Sequence, residues 1–169
     1  MGGSIAHPDP HARRAALVGF LAALEGALRD AAAKSADPAT AASLGEFLGL
    51  LGSIDPDSRL PAPTTPPNQL TVCRFWEPSL HASSGAPRAL IAALQRLGPS
   101  LSWTQNPNYW RRPPDATFLD NYGYAVIAGP TDGPPALAAA PRLALGVLLL
   151  GPHAHYLCMR IRPSRSTTP

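Results

Sequence analysis

The sequence predicts an α+β fold, in which a helical N-terminal region precedes the first strands of an incomplete β unit. Apolar residues recur at helical spacing up to residue 97, whereas short apolar runs closed by Gly-Pro pairs follow residue 100. Five of the 21 prolines fall between residues 55 and 68, which indicates a linker. The predicted regions are a helical region over 1–54, the linker over 55–69, a second helical region over 70–100, and a β region over 101–169 with an aberrant tail over 157–169.

Three segments carry the helical pattern. The first covers residues 11–34, and the second opens at Asp37-Pro38, with Asp37 placed to cap it and Pro38 in its first turn. Pro87 opens the third, which Gly98-Pro99 ends. A further short helix is expected over residues 69–80. The apolar stripes are Leu17, Phe20, Leu21, Leu24 and Leu28; Leu44, Phe47, Leu48 and Leu51; and Leu90, Ile91, Leu94 and Leu97.

Two strands are predicted, one over 122–128 and one over 143–150. The second is a continuous apolar run, which is typical of a strand buried on both faces. Because no further long strands are evident, we expect both to lack partners and to be less ordered than the helices. Exposed strand edges would also allow self-association.

The net charge of +3 does not indicate nucleic-acid binding. Arg160, Arg162 and Arg165 in the tail carry all of the excess, and no other stretch forms a basic patch. The two cysteines, Cys73 and Cys158, lie far apart without CxxC spacing, which favours free thiols in the cytoplasm. No secretory signal or membrane span is expected, because the longest apolar stretch is interrupted by Pro-Arg.

The chain resembles the bacterial cupin-type dimethylsulfoniopropionate (DMSP) lyases from about residue 72 to residue 156. The resemblance is carried by four stretches: Cys73-Arg74-Phe75-Trp76, Leu101-Ser102-Trp103, residues 118–130 ending Ala-Gly-Pro, and residues 145–156 ending His-Tyr. It implies a cupin barrel, of which residues 101–169 would supply the first strands. It also implies cleavage of DMSP to acrylate and dimethyl sulfide, a β-elimination assisted by a divalent metal (zinc, iron or manganese).

The chain departs from the family pattern where the metal ligands belong. Tyr156 matches the tyrosine that opens the motif Tyr-Pro-x-His-x-His-x-x-x-Glu-x-Tyr, but the histidines, the glutamate and the second tyrosine have no counterpart. His153 and His155 form an HxH pair, and Cys158 is the only Glu, Asp or Cys that follows at ligand spacing, so a solvent-facing loop is the simpler interpretation. We therefore expect this chain to bind no catalytic metal tightly and to be catalytically incomplete.

The resemblance implies four functional residues. Tyr156 is the candidate catalytic residue, and Trp103, Tyr122 and Tyr124 are candidates for binding the substrate, whose sulfonium cation suits aromatic faces. Tyr109 and Trp110 would join the same pocket. Packing in the core or on the surface is the simpler interpretation for these rings, and Tyr156 is equally compatible with a strand-end aromatic. Asp120 and Asn121 are interpreted as turn or capping residues.

The tail over 157–169 is explained by a one-base change of reading frame. Common codons for Cys158 and Met159, read one base out of register, encode histidine, and those of Arg160 and Ile161 encode a second. The shifted reading becomes Tyr-Pro-x-His-Ala-His-Pro-Ala-x-Glu-x-Tyr, which is the family's metal motif. Two other interpretations stay open: a non-enzymatic interaction module, in which a helical domain pairs its C-terminal strands with another chain, and a cupin of different chemistry.

We predict that the gene continues in the alternative frame as a cupin. Restoring one base near codon 156 should extend the open frame by several tens of residues and add another histidine. The nucleotide sequence checks this, and an early stop in that frame, or codons that do not encode the two histidines, would contradict it.

Overall fold

The computed structural model describes residues 9–58, 70–152 and 154. Within them the chain forms helices first and a small mixed sheet afterwards, so the predicted α+β class is confirmed. The α-helices are α1 (Pro10–Lys34), α2 (Pro38–Leu51), α3 (Trp76–Ala82), α4 (Arg88–Leu97) and α5 (Pro107–Arg111). The strands are β1 (Trp103–Thr104), β2 (Tyr122–Gly129), β3 (Ala138–Ala139) and β4 (Leu145–Leu150). Short 3₁₀ helices cover Thr71–Phe75, Gly98–Ser100 and Phe118–Asn121.

The first two helices begin where the sequence places their caps. The Asp9 carboxylate accepts a hydrogen bond from the Ala12 N–H at the start of α1. Asp37 does the same for α2, accepting from Ala39 and Thr40 N–H groups, as predicted. Hydrogen bonds from the Thr40 hydroxyl and then from the two backbone N–H groups lower the pKa of Asp37. None of the helices in the described ranges is long and apolar enough to cross a membrane.

β2 is the centre of the sheet, because each of the other described strands pairs with it. β1 and β4 run antiparallel to β2, and β3 runs parallel to its end. The pairing with β4 extends from Tyr122 opposite Leu150 to Ala128 opposite Leu145, with a bulge between Val126 and Ala128. The expectation that the two long strands lack partners is therefore wrong, since they are each other's partner.

β4 is not the fully buried strand that its composition predicts. Its residues alternate, with Leu149 buried, whereas Leu148 and Leu150 are 48% and 37% exposed. The reason is that α1 to α4 share a core with one face of the sheet, whereas on the other face α5 packs against Tyr122 and leaves Leu148 and Leu150 exposed. An apolar run by itself does not distinguish these cases.

One hydrophobic core joins the helical layer to the covered face of the sheet. The indole rings of Trp76 in α3 and Trp103 in β1 meet edge to face, with centroids 5.4 Å apart. Leu97 and Ile127 lie fully buried on the helical and strand sides of this core. The division into regions at residues 54, 69 and 100 stays a prediction, although the helices and strands share these contacts.

Two glycines are required by close packing. A Cβ at Gly98 would lie 2.6 Å from Nε1 of Trp76, beneath the tryptophan pair. A Cβ at Gly146 in β4 would lie 2.6 Å from the backbone oxygen of Ala125 in β2. Because this second obstacle is backbone, it cannot move aside as a flexible side chain does. Gly146 therefore permits β4 to approach β2 beside the bulge.

We predict that Gly146→Ala lowers the free energy of unfolding by about 1–3 kcal/mol, because β4 must shift away from β2. Urea unfolding followed by circular dichroism measures this. Gly26→Ala in α1 is the matched control, since nothing lies within 4 Å of a Cβ there. It should stabilise the protein by about 1 kcal/mol. Equal stability of the two variants would contradict the close approach at Gly146.

Candidate functional site

The two faces of the sheet differ in what covers them. Side chains of paired residues point to the same side, and successive residues point to opposite sides. Trp103, Ala125 and Leu149 therefore lie on the inner face, against the helices, and all three belong to the main core. We define the outer face as Thr104, Tyr122, Tyr124, Val126, Leu148 and Leu150, which the register places together on the other side.

A cluster of aromatic rings occupies the start of the outer face. Tyr122 is 2% exposed and stacks on Phe118, with centroids 4.8 Å apart and planes 22° apart. Tyr109 of α5 meets both rings edge to face, at 4.9 Å from Phe118 and 5.3 Å from Tyr122. Tyr124 lies 6.3 Å from Tyr122 and is half-buried. The four rings form one aromatic cluster, in which Tyr124 is the ring most exposed to solvent.

Gln105 fixes the connection between β1 and α5 to this cluster. Its amide Nε2 donates to the carbonyl oxygens of Leu119 at 2.5 Å and Tyr122 at 2.8 Å. Its Oε1 accepts a hydrogen bond from Nε1 of Trp110 at 3.3 Å. The Gln105 side chain thus provides a hydrogen-bond donor to two backbone carbonyls beside the aromatic cluster. It also orients the indole ring of Trp110, which is 59% exposed.

The structure brings together only part of the predicted substrate-binding set. Tyr122 and Tyr124 share the outer face, whereas Trp103 lies on the inner face, 4% exposed and packed against Trp76. The indole Nε1 of Trp103 is buried without a hydrogen-bond partner among the described residues. The roles of Trp103, Tyr122 and Tyr124 in substrate binding stay predictions.

Gly151, the residue after β4, is fixed by close contacts with Asn121 and Phe75. The Gly151 N–H donates to the Asn121 carbonyl oxygen at 2.8 Å, and a Cβ at Gly151 would collide with Asn121 and Phe75. Asn121 also donates from its amide to the Thr117 oxygen, in keeping with its predicted local role. Tyr156, His153 and His155 lie outside the described residues, so the predicted catalytic role of Tyr156 stays a prediction.

Arg74 lies close to the same asparagine, near the end of β4. Its guanidinium carbon is 4.4 Å from the centroid of the Phe75 ring, and its nitrogens donate to the Thr71 carbonyl at 3.0 Å and the Asn121 side chain at 3.4 Å. The adjacent Cys73 thiol is partly buried, and burial raises its pKa. A thiol with a raised pKa is a weak nucleophile at neutral pH, which argues against a catalytic role for Cys73.

The described residues do not provide a site for the divalent metal that the resemblance implies. No three His, Cys, Asp or Glu side chains among them lie close enough together to hold a metal ion. The donors along the outer face are tyrosine and threonine hydroxyls, and the rest of that face is apolar.

Sequence reasoning missed two residues that shape this face. Phe118 supplies the ring on which Tyr122 stacks, and Gln105 ties two carbonyls and Trp110 together. A single glutamine before an Asn-Pro turn carries no sequence signal for such a role. Phe118 lies inside a stretch that carries the family resemblance, and that position was the available hint.

We predict that Gln105→Met, which keeps length but removes both donors, destabilises the protein by about 1–3 kcal/mol because two carbonyls lose their partner. The indole of Trp110 should lose its orientation, which would shift its fluorescence. Thermal unfolding and emission spectra measure both effects. Gln95→Met is the matched control, because Gln95 is exposed on α4 and its only described bond is a 3.5 Å contact with Glu77. A Gln105 variant as stable as this control would contradict the role.

Comparisons with known proteins give one match. A family model for dimethylsulfoniopropionate lyase matches residues 56–160, which is well over half of the 169-residue chain. The matched range begins after α2 and includes the whole described sheet, the aromatic cluster and the end of β4. No curated protein and no solved structure matches significantly. The extent of the family match shows that the chain belongs to the dimethylsulfoniopropionate lyase family.

Proposed function

We propose that this chain carries the substrate-binding sheet of a DMSP lyase, a carbon–sulfur lyase, and that elimination requires residues beyond Tyr156 that its tail does not supply. The observation that carries the proposal is the family match over residues 56–160. The described residues support the binding part of the reaction, because they form an aromatic face without charged side chains.

The reaction makes two separate demands on a protein. A base removes the proton next to the carboxylate, the electron pair forms the carbon–carbon double bond of acrylate, and the carbon–sulfur bond breaks to release neutral dimethyl sulfide. The carboxylate side must tolerate developing negative charge, which in the family is the task of a divalent metal. The sulfonium side begins as a cation and ends neutral.

The outer face suits the sulfonium side. Tyr124 lies half-buried at the edge of the four-ring cluster, and aromatic faces attract a soft cation. Because the sulfonium charge disappears as the bond breaks, this attraction favours the bound substrate over the transition state. The aromatic face therefore acts by capturing and orienting the substrate, and it supplies no acceleration of its own.

Tyr156 is the proposed base in a chain that has the complete motif. Its matching position opens that motif, and a tyrosine with an unperturbed pKa near 10 needs a neighbouring cation to act at neutral pH. The described residues hold no metal ligand set. We propose that the frame change under residues 157–169 removed those ligands. A cytoplasmic location fits the two cysteines, which would stay reduced there.

We predict that the 169-residue chain releases no dimethyl sulfide from DMSP, while the frame-restored protein does. The reason is that charge stabilisation at the carboxylate is missing, and each 1.36 kcal/mol of lost stabilisation lowers the rate about tenfold. Gas chromatography of the headspace, with both proteins at equal concentration and with added zinc, iron or manganese, measures the difference. Comparable release from the two would refute the dependence on residues beyond Tyr156.

The frame-restored protein also separates the two proposed roles. Tyr156→Phe should lower kcat by roughly 10²–10⁴-fold, as removal of a general base does. Tyr124→Leu should raise KM without lowering kcat, because it removes an attraction that is stronger for the bound substrate than for the transition state. Release from neither the chain nor the restored protein would remove the DMSP assignment and leave the fold unaffected.

A further inference from the structure

The two sides of the sheet differ in how their edges are protected. On one side the edge strands β1 and β3 are two residues long, and residues 55–58 cover β3. There Asp55 bridges Ala139, and the Ser58 hydroxyl oxygen accepts the Ala139 N–H at 2.8 Å. Short strands and a covering segment are two ways in which proteins blunt an edge.

The other side has no such protection in the described part of the chain. β4 is six residues long and pairs with β2 along one side, while no described strand pairs with its second side. Its sequence, Leu-Gly-Val-Leu-Leu-Leu, contains no charge and no proline. An uncharged, leucine-rich edge strand of this length is a template for pairing with another strand.

The surface around this edge selects a particular partner. The outer face carries no charged residue, and Leu148 and Leu150 are 48% and 37% exposed beside the edge of β4 that no described strand pairs with. A second copy therefore meets no like charge across this face, and like charges directly opposite each other would destabilise the pairing. An antiparallel edge is also complementary to itself, because a two-fold axis matches its N–H groups with the C=O groups of a second copy.

We propose that the partner is a second copy of this chain, joined by antiparallel pairing of β4 with β4 around a two-fold axis. The pairing extends two four-stranded sheets into one continuous sheet. Leu148 and Leu150 of each copy then cover those of the other on the outer face. The interface closes on itself, since pairing leaves no free β4 edge, and it does not depend on lyase activity. The contact is small, which places the dimer among weak, concentration-dependent complexes.

Sedimentation velocity of the full chain over about 1–100 μM tests the proposal, because weak pairs dissociate across this range. The expected result is a monomer–dimer equilibrium. Leu148→Lys should abolish the dimer, since it places two like charges beside the paired edges. Val18→Lys is the matched control, because Val18 is a 40% exposed apolar residue on α1, away from the sheet, and this variant should dimerise normally.

A second measurement needs no variant and covers the case in which Leu148→Lys fails to fold. Hydrogen exchange of the unmodified chain should slow in residues 145–150 as concentration rises, with no change in α1. A chain that stays monomeric throughout, a dimer that survives Leu148→Lys in a folded variant, or open-ended aggregates in place of a closed dimer would each overturn the proposal. Concentration-independent exchange in β4 would overturn it as well.

Discussion

The described structure depends on β2, because the sheet exists only through this strand. It pairs with every other described strand, its inner residues complete the core with the helices, and its outer tyrosines carry the aromatic cluster. The pairing of β2 with β4 is the longest in the sheet, and it requires a glycine at position 146, because a side chain there would collide with the Ala125 backbone. This close backbone contact links packing to the candidate site, since the same pairing sets the positions of Tyr122 and Tyr124.

The helical part of the fold is the part that local sequence chemistry describes well. Asp37 caps α2 as predicted, because a carboxylate before a proline has few competing roles at a helix start. Residues 10–34 form one helix, as the apolar spacing indicates. The segment near residue 75 is less regular than predicted, and it begins as a 3₁₀ helix before α3. Trp76, where α3 begins, packs against Trp103, and sequence spacing does not contain such a tertiary contact.

The strands show where sequence reasoning stops. The position of β4 is readable from its apolar run, but its exposure is not, because exposure depends on which layer covers each face of the sheet. The candidate site divides in the same way. Tyr122 and Tyr124 share a face by simple alternation, whereas the placement of Trp103 on the opposite face depends on the register of β1 against β2. The role of Gln105 could not be predicted from the sequence, because its hydrogen-bond partners are carbonyls 14 and 17 residues further along the chain.

Residues 55–58 connect α1 to β3 through side-chain contacts. Asp57 accepts a bidentate ion pair from Arg14 in α1, with one bond of 2.8 Å, and Ser58 bonds to Ala139 in β3. The guanidinium of Arg14 lowers the pKa of Asp57, so this tie persists at neutral pH and weakens only as acid protonates the carboxylate. Leu17 and Phe20 are buried in the core shared with the strands. The peptide link across residues 59–69 is therefore not the sole connection between the two described stretches. A chain cut there would give two fragments with complementary surfaces, the starting condition for reassembly from separately expressed halves.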